Sequence, residues 1–162
     1  MHLVLVEPEI PPNTGNIARL CAATRTRLHL IEPLGFKLDD ARLKRAGMDY
    51  WQHVEWRCWK NWPEFQAALP VGARLWFIES GGARHYAEVS YGPDDYLVFG
   101  RETAGLPENL LAQNRGCWLR IPMFNPAARS LNLSNCAALV LYEALRQQGF
   151  SPLDQPPGDK RK

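Results

Sequence analysis

Ile121-Pro122-Met123-Phe124-Asn125-Pro126-Ala127-Ala128-Arg129-Ser130-Leu131-Asn132-Leu133-Ser134-Asn135, running on through Cys136 to Gly149, reads as a polar loop feeding an apolar helix. Ser130 or Asn132 can cap the helix start with a side-chain oxygen, and Gly149 after Arg146-Gln147-Gln148 supplies a C-terminal stop. Leu133, Cys136, Ala137, Val140, Leu141, Ala144 and Leu145 recur at three- and four-residue steps and give one continuous buried face. Ala138, Leu139 and Tyr142 widen that stripe beyond what one core needs, so the helix is either central to its domain or shared with a second chain. The preceding loop crowds Asn, Ser and Arg against a helix start whose free N–H groups favour anionic or polar ligands.

Outward from this stretch, the rest of the chain alternates strand and helix patterns. Cys117 to Ile121 reads as the last strand, after Leu3 to Val6, Arg27 to Ile31, Arg74 to Ile78 and Tyr96 to Phe99, with His53-Val54-Glu55-Trp56 a candidate edge strand. The Pro11-to-Gly15 segment reads as irregular, and a helix follows from Asn13 or Thr14 to about Thr24. It turns Ile17, Leu20 and Cys21 inward and leaves Asn16 and Arg19 together along another edge. Asp39 to Ala46 reads as a helix with a basic outer side, Asn61 caps another that turns Phe65, Ala68 and Leu69 inward, and Pro107 opens a short one through Leu110-Leu111. This alternation predicts an α/β fold, a mostly parallel sheet flanked on both faces by helices. Residues 1–150 form one domain on this reading, and the Pro, Asp, Gly, Lys and Arg of residues 151–162 predict a disordered tail.

At 162 residues and 46% hydrophobic, the chain has enough apolar material for one core. No apolar run approaches the ~18 residues of a membrane span, and Met1 to Val6 runs straight into Glu7-Pro8-Glu9 as a strand would, not as a secretory leader. Cys21, Cys58, Cys117 and Cys136 lack close pairing and metal-ligand spacing, which predicts reduced thiols in a cytosol and no metal site; the four histidines are scattered. Lys160, Arg161 and Lys162 account for the net charge of +2, so the rest of the chain sits one charge to the acidic side. A polyanion site must therefore be local, with Arg42, Lys44 and Arg45 as candidates.

Three predicted strands end in unusual loops: Ile78 to Gly82, Gly100 to Leu106 and Ile121 to Ser130. In parallel sheets, ligands bind at the carboxyl ends of strands. Glycine at 81, 82, 100 and 105 lets backbone groups approach a ligand closely, although none of these loops matches the dinucleotide fingerprint or the P-loop.

Three segments carry a family resemblance. Glu7-Pro8-Glu9-Ile10-Pro11-Pro12-Asn13-Thr14-Gly15-Asn16-Ile17-Ala18-Arg19-Leu20-Cys21, then Phe99-Gly100-Arg101-Glu102-Thr103-Ala104-Gly105-Leu106-Pro107, then Ile121-Pro122-Met123 with Arg129-Ser130-Leu131-Asn132-Leu133-Ser134-Asn135 resemble the three motifs of the SPOUT RNA methyltransferases. Within that superfamily the chain is most similar to the small tRNA (cytidine/uridine-34-2′-O)-methyltransferases. The resemblance implies a C-terminal trefoil knot, a topology too rare for periodicity to propose. It also implies S-adenosyl-L-methionine as cofactor, the tRNA anticodon stem-loop as substrate, and a homodimer whose active site draws on both chains. By the match, Ile78, Gly100, Ile121, Met123, Ser130 and Leu131 line the cofactor pocket, and Arg19, Asn16, Glu102 and Asn132 serve catalysis. Ala104 departs from the basic residue common in relatives, and Glu79-Ser80-Gly81 from a more Thr-rich loop.

The implied reaction moves a methyl group from a sulfonium to a ribose 2′-oxygen, with position and local electrostatics supplying most of the acceleration. A guanidinium gives up its proton only at high cost, so Arg19 is expected to orient the oxygen and an adjacent phosphate, not to act as a free base. The competing readings are 2′-O-methylation at another tRNA or rRNA position, a non-catalytic RNA-binding factor of the same fold, and a nucleotide-binding regulatory domain.

Overall fold

Leu3-Val4-Leu5-Val6 is apolar at every position, a pattern that suits a strand covered on both faces. In the computed structural model, which describes residues 1–38, 48–125 and 127–150, it lies in β1 (His2–Val6). The other strands are β2 (Arg27–Ile31), β3 (Trp56–Trp59), β4 (Leu75–Ile78), β5 (Arg84–His85), β6 (Tyr96–Phe99) and β7 (Trp118–Arg120). They form one sheet in the order β3-β2-β1-β6-β4-β7-β5, and every pairing between these strands is parallel.

Alternation then sorts the side chains. Leu3, Leu5, Leu28, Leu30, Leu97, Phe99 and Leu119 face one layer, built by α1 (Pro11–Thr24) and α4 (Leu133–Gln147) through Ile17, Ala18, Cys21, Ala137, Val140, Leu141 and Ala144. Val4, Val6, Ile31, Phe77 and Val98 face the other, closed by Phe65 of α2 (Trp62–Ala67) and by Leu110 and Leu111 of α3 (Glu108–Gln113). The sheet and its two helical layers agree with the sequence reading. No helix among the described residues is long and apolar enough to cross a membrane.

Several boundaries differ. α1 begins at Pro11, not at Asn13 or Thr14, because proline costs nothing in a first turn whose N–H groups have no helical partner. Residues 53–55 are not strand: a 3₁₀ turn over Met48–His53 is followed by Val54, which with Trp51 is buried in the core, and the edge strand starts at Trp56. Ala68 lies past the end of α2 and is exposed, while Trp62 packs against the Phe65 side of the core instead. Asn132, not Ser130, caps α4, its side-chain oxygen accepting from Ser134 N–H at 2.9 Å. The predicted helix over Asp39 to Ala46 and the predicted tail over 151–162 lie outside the described residues.

One crossing shapes the sheet's far end. β4 and β5 are joined by residues 79–83 only, yet β7 lies between them, and Ile78 and Arg84 both pair with Leu119. The five-residue connection therefore steps over β7. Gly82 rests on the strand it crosses: a β-carbon there would stand 2.6 Å from the Leu119 carbonyl carbon and 2.7 Å from Arg120 N. Glu79 N–H donates to Leu119 O at 2.9 Å, and the Arg120 guanidinium donates to Gly82 O and Ala83 O at 2.6 and 2.7 Å.

Adjacent parallel strands also bring together two histidines far apart in sequence. Trp59 Nε1–H donates to His29 Nδ1 at 3.1 Å, which places the His29 proton on Nε2, 3.0 Å from His2 Nδ1. Burial pushes both rings down to about 4, helped at His2 by the neighbouring amino terminus and at His29 by His2. A pKa lower in the folded than in the unfolded chain gives stability that is complete above about pH 6.5 and is lost as pH falls toward 4, on the order of 3 kcal/mol for a proton on either ring. Thermal melts from pH 7 to 4 should show this slope, and His29→Gln should flatten it; equal slopes for both proteins would exclude the pair as its source.

Candidate active site

The loops after β4, β6 and β7 meet at the carboxyl ends of three neighbouring strands, where parallel sheets bind ligands. Between them lies a cleft of about 570 Å³, within the range of small-molecule sites. Ile78, Gly100, Ile121, Met123, Ser130 and Leu131 all line it, as do Glu102 and Asn132. Asn16 and Arg19 do not; both are exposed on α1. Arg42, Lys44 and Arg45 lie outside the described residues.

Hydrogen bonds join the loop after β1 to the wall made by the loop after β6. The Glu102 carboxylate accepts from Glu9 N–H at 2.8 Å, Ile10 N–H at 3.2 Å and Asn13 Nδ2 at 3.1 Å. Asn13 is 5% exposed, and its oxygen accepts from Asn132 Nδ2 at 2.9 Å, so one buried amide ties the loop after β6 to the start of α4. Glu9 returns the exchange by accepting from Thr103 N–H and Oγ1 at 3.1 and 2.7 Å. The Thr103 hydroxyl holds the Glu9 carboxyl below its usual range. Glu7 sits in the left-handed region at φ 52° and pairs with Arg101 across 2.6 Å. Backbone strain of this kind persists where surrounding contacts over-determine it.

Two glycines read in the sequence as making room for a ligand make room for the chain itself. A β-carbon at Gly100 would stand 2.1 Å from the Gly105 carbonyl carbon, and Gly82 lies on β7 as described. Asn13, Glu9, Thr103, Arg101 and Glu79 were not singled out as site residues by the sequence. Glu9, Asn13, Arg101 and Thr103 stood inside the segments that carry the resemblance, and Glu79 in a loop that departs from it, but nothing in the sequence marked Asn13 as a buried amide. Cys136 lines the cleft, and burial raises its thiol pKa above the ordinary value.

The donor set fits S-adenosylmethionine. Ile78, Phe99, Ile121 and Leu131 offer apolar walls for a purine, backbone groups of the glycine turn offer polar edges, and Glu79 and Glu102 bring negative charge toward a cationic ligand.

Comparison with known proteins places this geometry. Over 153 residues the chain is 54% identical to a tRNA (cytidine(34)-2′-O)-methyltransferase of Saccharophagus degradans, covering 93% of this chain and 97% of that one. A solved structure described as giving insight into 2′-OH methylation of C/U34 on tRNA is 48% identical with a TM-score of 0.88, covering 92% of this chain and 96% of that one. An AdoMet-bound rRNA methyltransferase from Sinorhizobium meliloti is 27% identical with a TM-score of 0.78, covering 90% of this chain and 55% of that one. The SpoU rRNA methylase family matches residues 1–142, and with that match and these likenesses the chain belongs to the SpoU methylase family.

Proposed function

We propose that this protein transfers a methyl group from S-adenosylmethionine to the ribose 2′-oxygen of the wobble nucleotide, cytidine or uridine 34, of tRNA. The observation that carries this reading is one cleft built by the loops after β4, β6 and β7 and bridged by Glu102, Asn13 and Asn132, in a chain alike over 93% of its length to an enzyme named for that reaction. When bound, the cofactor supplies a methyl group activated by the sulfonium charge. Ile78, Gly100, Ile121, Met123, Ser130 and Leu131 would hold it. Glu102 and Asn132 keep the loops in register with α1, through Asn13.

The working unit is a homodimer, and the chain beyond β7 is threaded as a trefoil knot. The strap of residues 79–83 across β7 supports the threading. Leu139 and Tyr142, 42% and 49% exposed on α4, support a helix face shared between subunits. Arg19 lines no part of its own cleft, so it serves the cleft of the partner subunit, where it orients the ribose oxygen and a neighbouring phosphate. Asn16, one turn away on the same exposed side, supports it. Arg42, Lys44 and Arg45 contact the anticodon stem, and the enzyme works in the cytoplasm on one domain spanning residues 1–150.

The test is methyl transfer from labelled cofactor to bulk tRNA lacking the modification, with the product nucleoside mapped by mass spectrometry. A 2′-O-methylated nucleoside at position 34 is expected. Label at another position would overturn the specificity, and absence of label from a protein that binds the cofactor would overturn the activity.

A further inference from the structure

Glu79 uses every polar atom it has, tying together β7, the strap, Ser80 and the loop after β6. Its N–H donates to Leu119 O of β7 at 2.9 Å, and its carbonyl accepts from Gly82 N–H at 3.0 Å within the strap. Oε1 accepts from Ser80 N–H at 2.9 Å and from the Ser80 hydroxyl at 3.0 Å. Oε2 accepts from Leu106 N–H at 3.3 Å, in the loop after β6. The same oxygen lies 2.7 Å from where a β-carbon of Gly105 would be, and Gly105 itself sits at φ +67°. A carboxylate thus fills the space that residue 105 leaves by having no side chain. Ser80, Gly105 and Glu79 all line the cleft.

The geometry points to Glu79 as a positioning residue of the cofactor site: its carboxylate is a strut that sets the gap between the β4 loop and the β6 loop, and Gly105 is the socket that admits it. This rests on the cofactor reading given above. Without the strut, the N–H groups of Ser80 and Leu106 lose a charged acceptor, and two walls of the cleft are no longer held at a fixed separation before a ligand arrives. Preorganisation of this kind acts on cofactor affinity. It leaves the RNA-facing residues of α1 untouched.

The experiment measures S-adenosylmethionine affinity by calorimetry on the purified full chain, beside the tRNA KM. Glu79→Ala is expected to weaken cofactor binding about 10-fold, the loss of roughly one charge-assisted hydrogen bond, with the tRNA KM unchanged. Glu79→Gln, which keeps the size but turns an amide donor toward one of the N–H groups, should fall between the two. Gly105→Ala should weaken binding in the wild-type background and cost less in the Glu79→Ala background, because the clash partner is gone. Wild-type protein that binds cofactor, with Glu79→Ala and Glu79→Gln binding equally well, would overturn the strut. So would a Gly105→Ala loss of the same size in both backgrounds. Wild-type protein that fails to bind would instead overturn the cofactor reading.

Discussion

Replacing Arg19 by alanine is expected to lower methyl transfer by on the order of 10²–10³-fold while leaving cofactor affinity unchanged, the signature of a group that acts on the transition state and not on the ground-state ligand. Arg19 is exposed on α1 and lines none of its own chain's cleft, so cofactor binding has no reason to feel it. The sharper result concerns mixed dimers. Gly100→Ala blocks the cleft by driving a β-carbon into the Gly105 backbone, and dimers of that variant alone should be inactive. Dimers with one Arg19→Ala chain and one Gly100→Ala chain should recover activity, since the intact cleft of the first receives the intact arginine of the second. Single-turnover assays on remixed, tag-selected heterodimers decide this. If Arg19 served its own cleft, the mixed dimer would have no complete site and would stay silent.

Glu102→Ala should be the next most damaging change, and it should act on stability and activity together. The substitution removes the acceptor for Glu9 N–H, Ile10 N–H and the buried Asn13 amide. Leaving these donors unpaired costs about 2 kcal/mol, the outer two being in reach of water, and should lower Tm by roughly 4–8 °C. Because Asn13 also receives Asn132, the start of α4 loses its anchor in the same step. Methyl transfer measured well below the new Tm should still be depressed. Full activity there, with only Tm changed, would make Glu102 a purely structural brace.

The parts of this protein that could be read from sequence are those set by local chemistry. Continuous apolar runs gave β1, β2, β4 and β6 nearly to the residue, and Asn61 and Asn132 capped the helices their side chains suit. The cleft's place at the strand ends was readable from the loops after β4, β6 and β7, while the residues lining it came from the family resemblance. What escaped depends on contacts distant in sequence. β5 is two residues long and exists only through its pairing with β7. Nothing near His2 announces His29, which register alone delivers. The bond from Leu106 N–H to Glu79 was hidden because the two lie 27 residues apart, and Gly82 looked like a ligand-facing glycine although its neighbour is the β7 backbone.

The strap over β7 has a consequence for how the molecule is made. Residues 79–83 leave the ribosome before β7 and α4, yet the span they form lies across the strand that follows them. The walls supplied by Ile121, Met123 and Arg129 to Asn132 are made last, so the complete cleft exists only once they are in place. A half-finished molecule has no half-strength site. A ligand that fills the cleft binds the folded form, and at a hundred times its Kd it stabilises that form by about 2.7 kcal/mol.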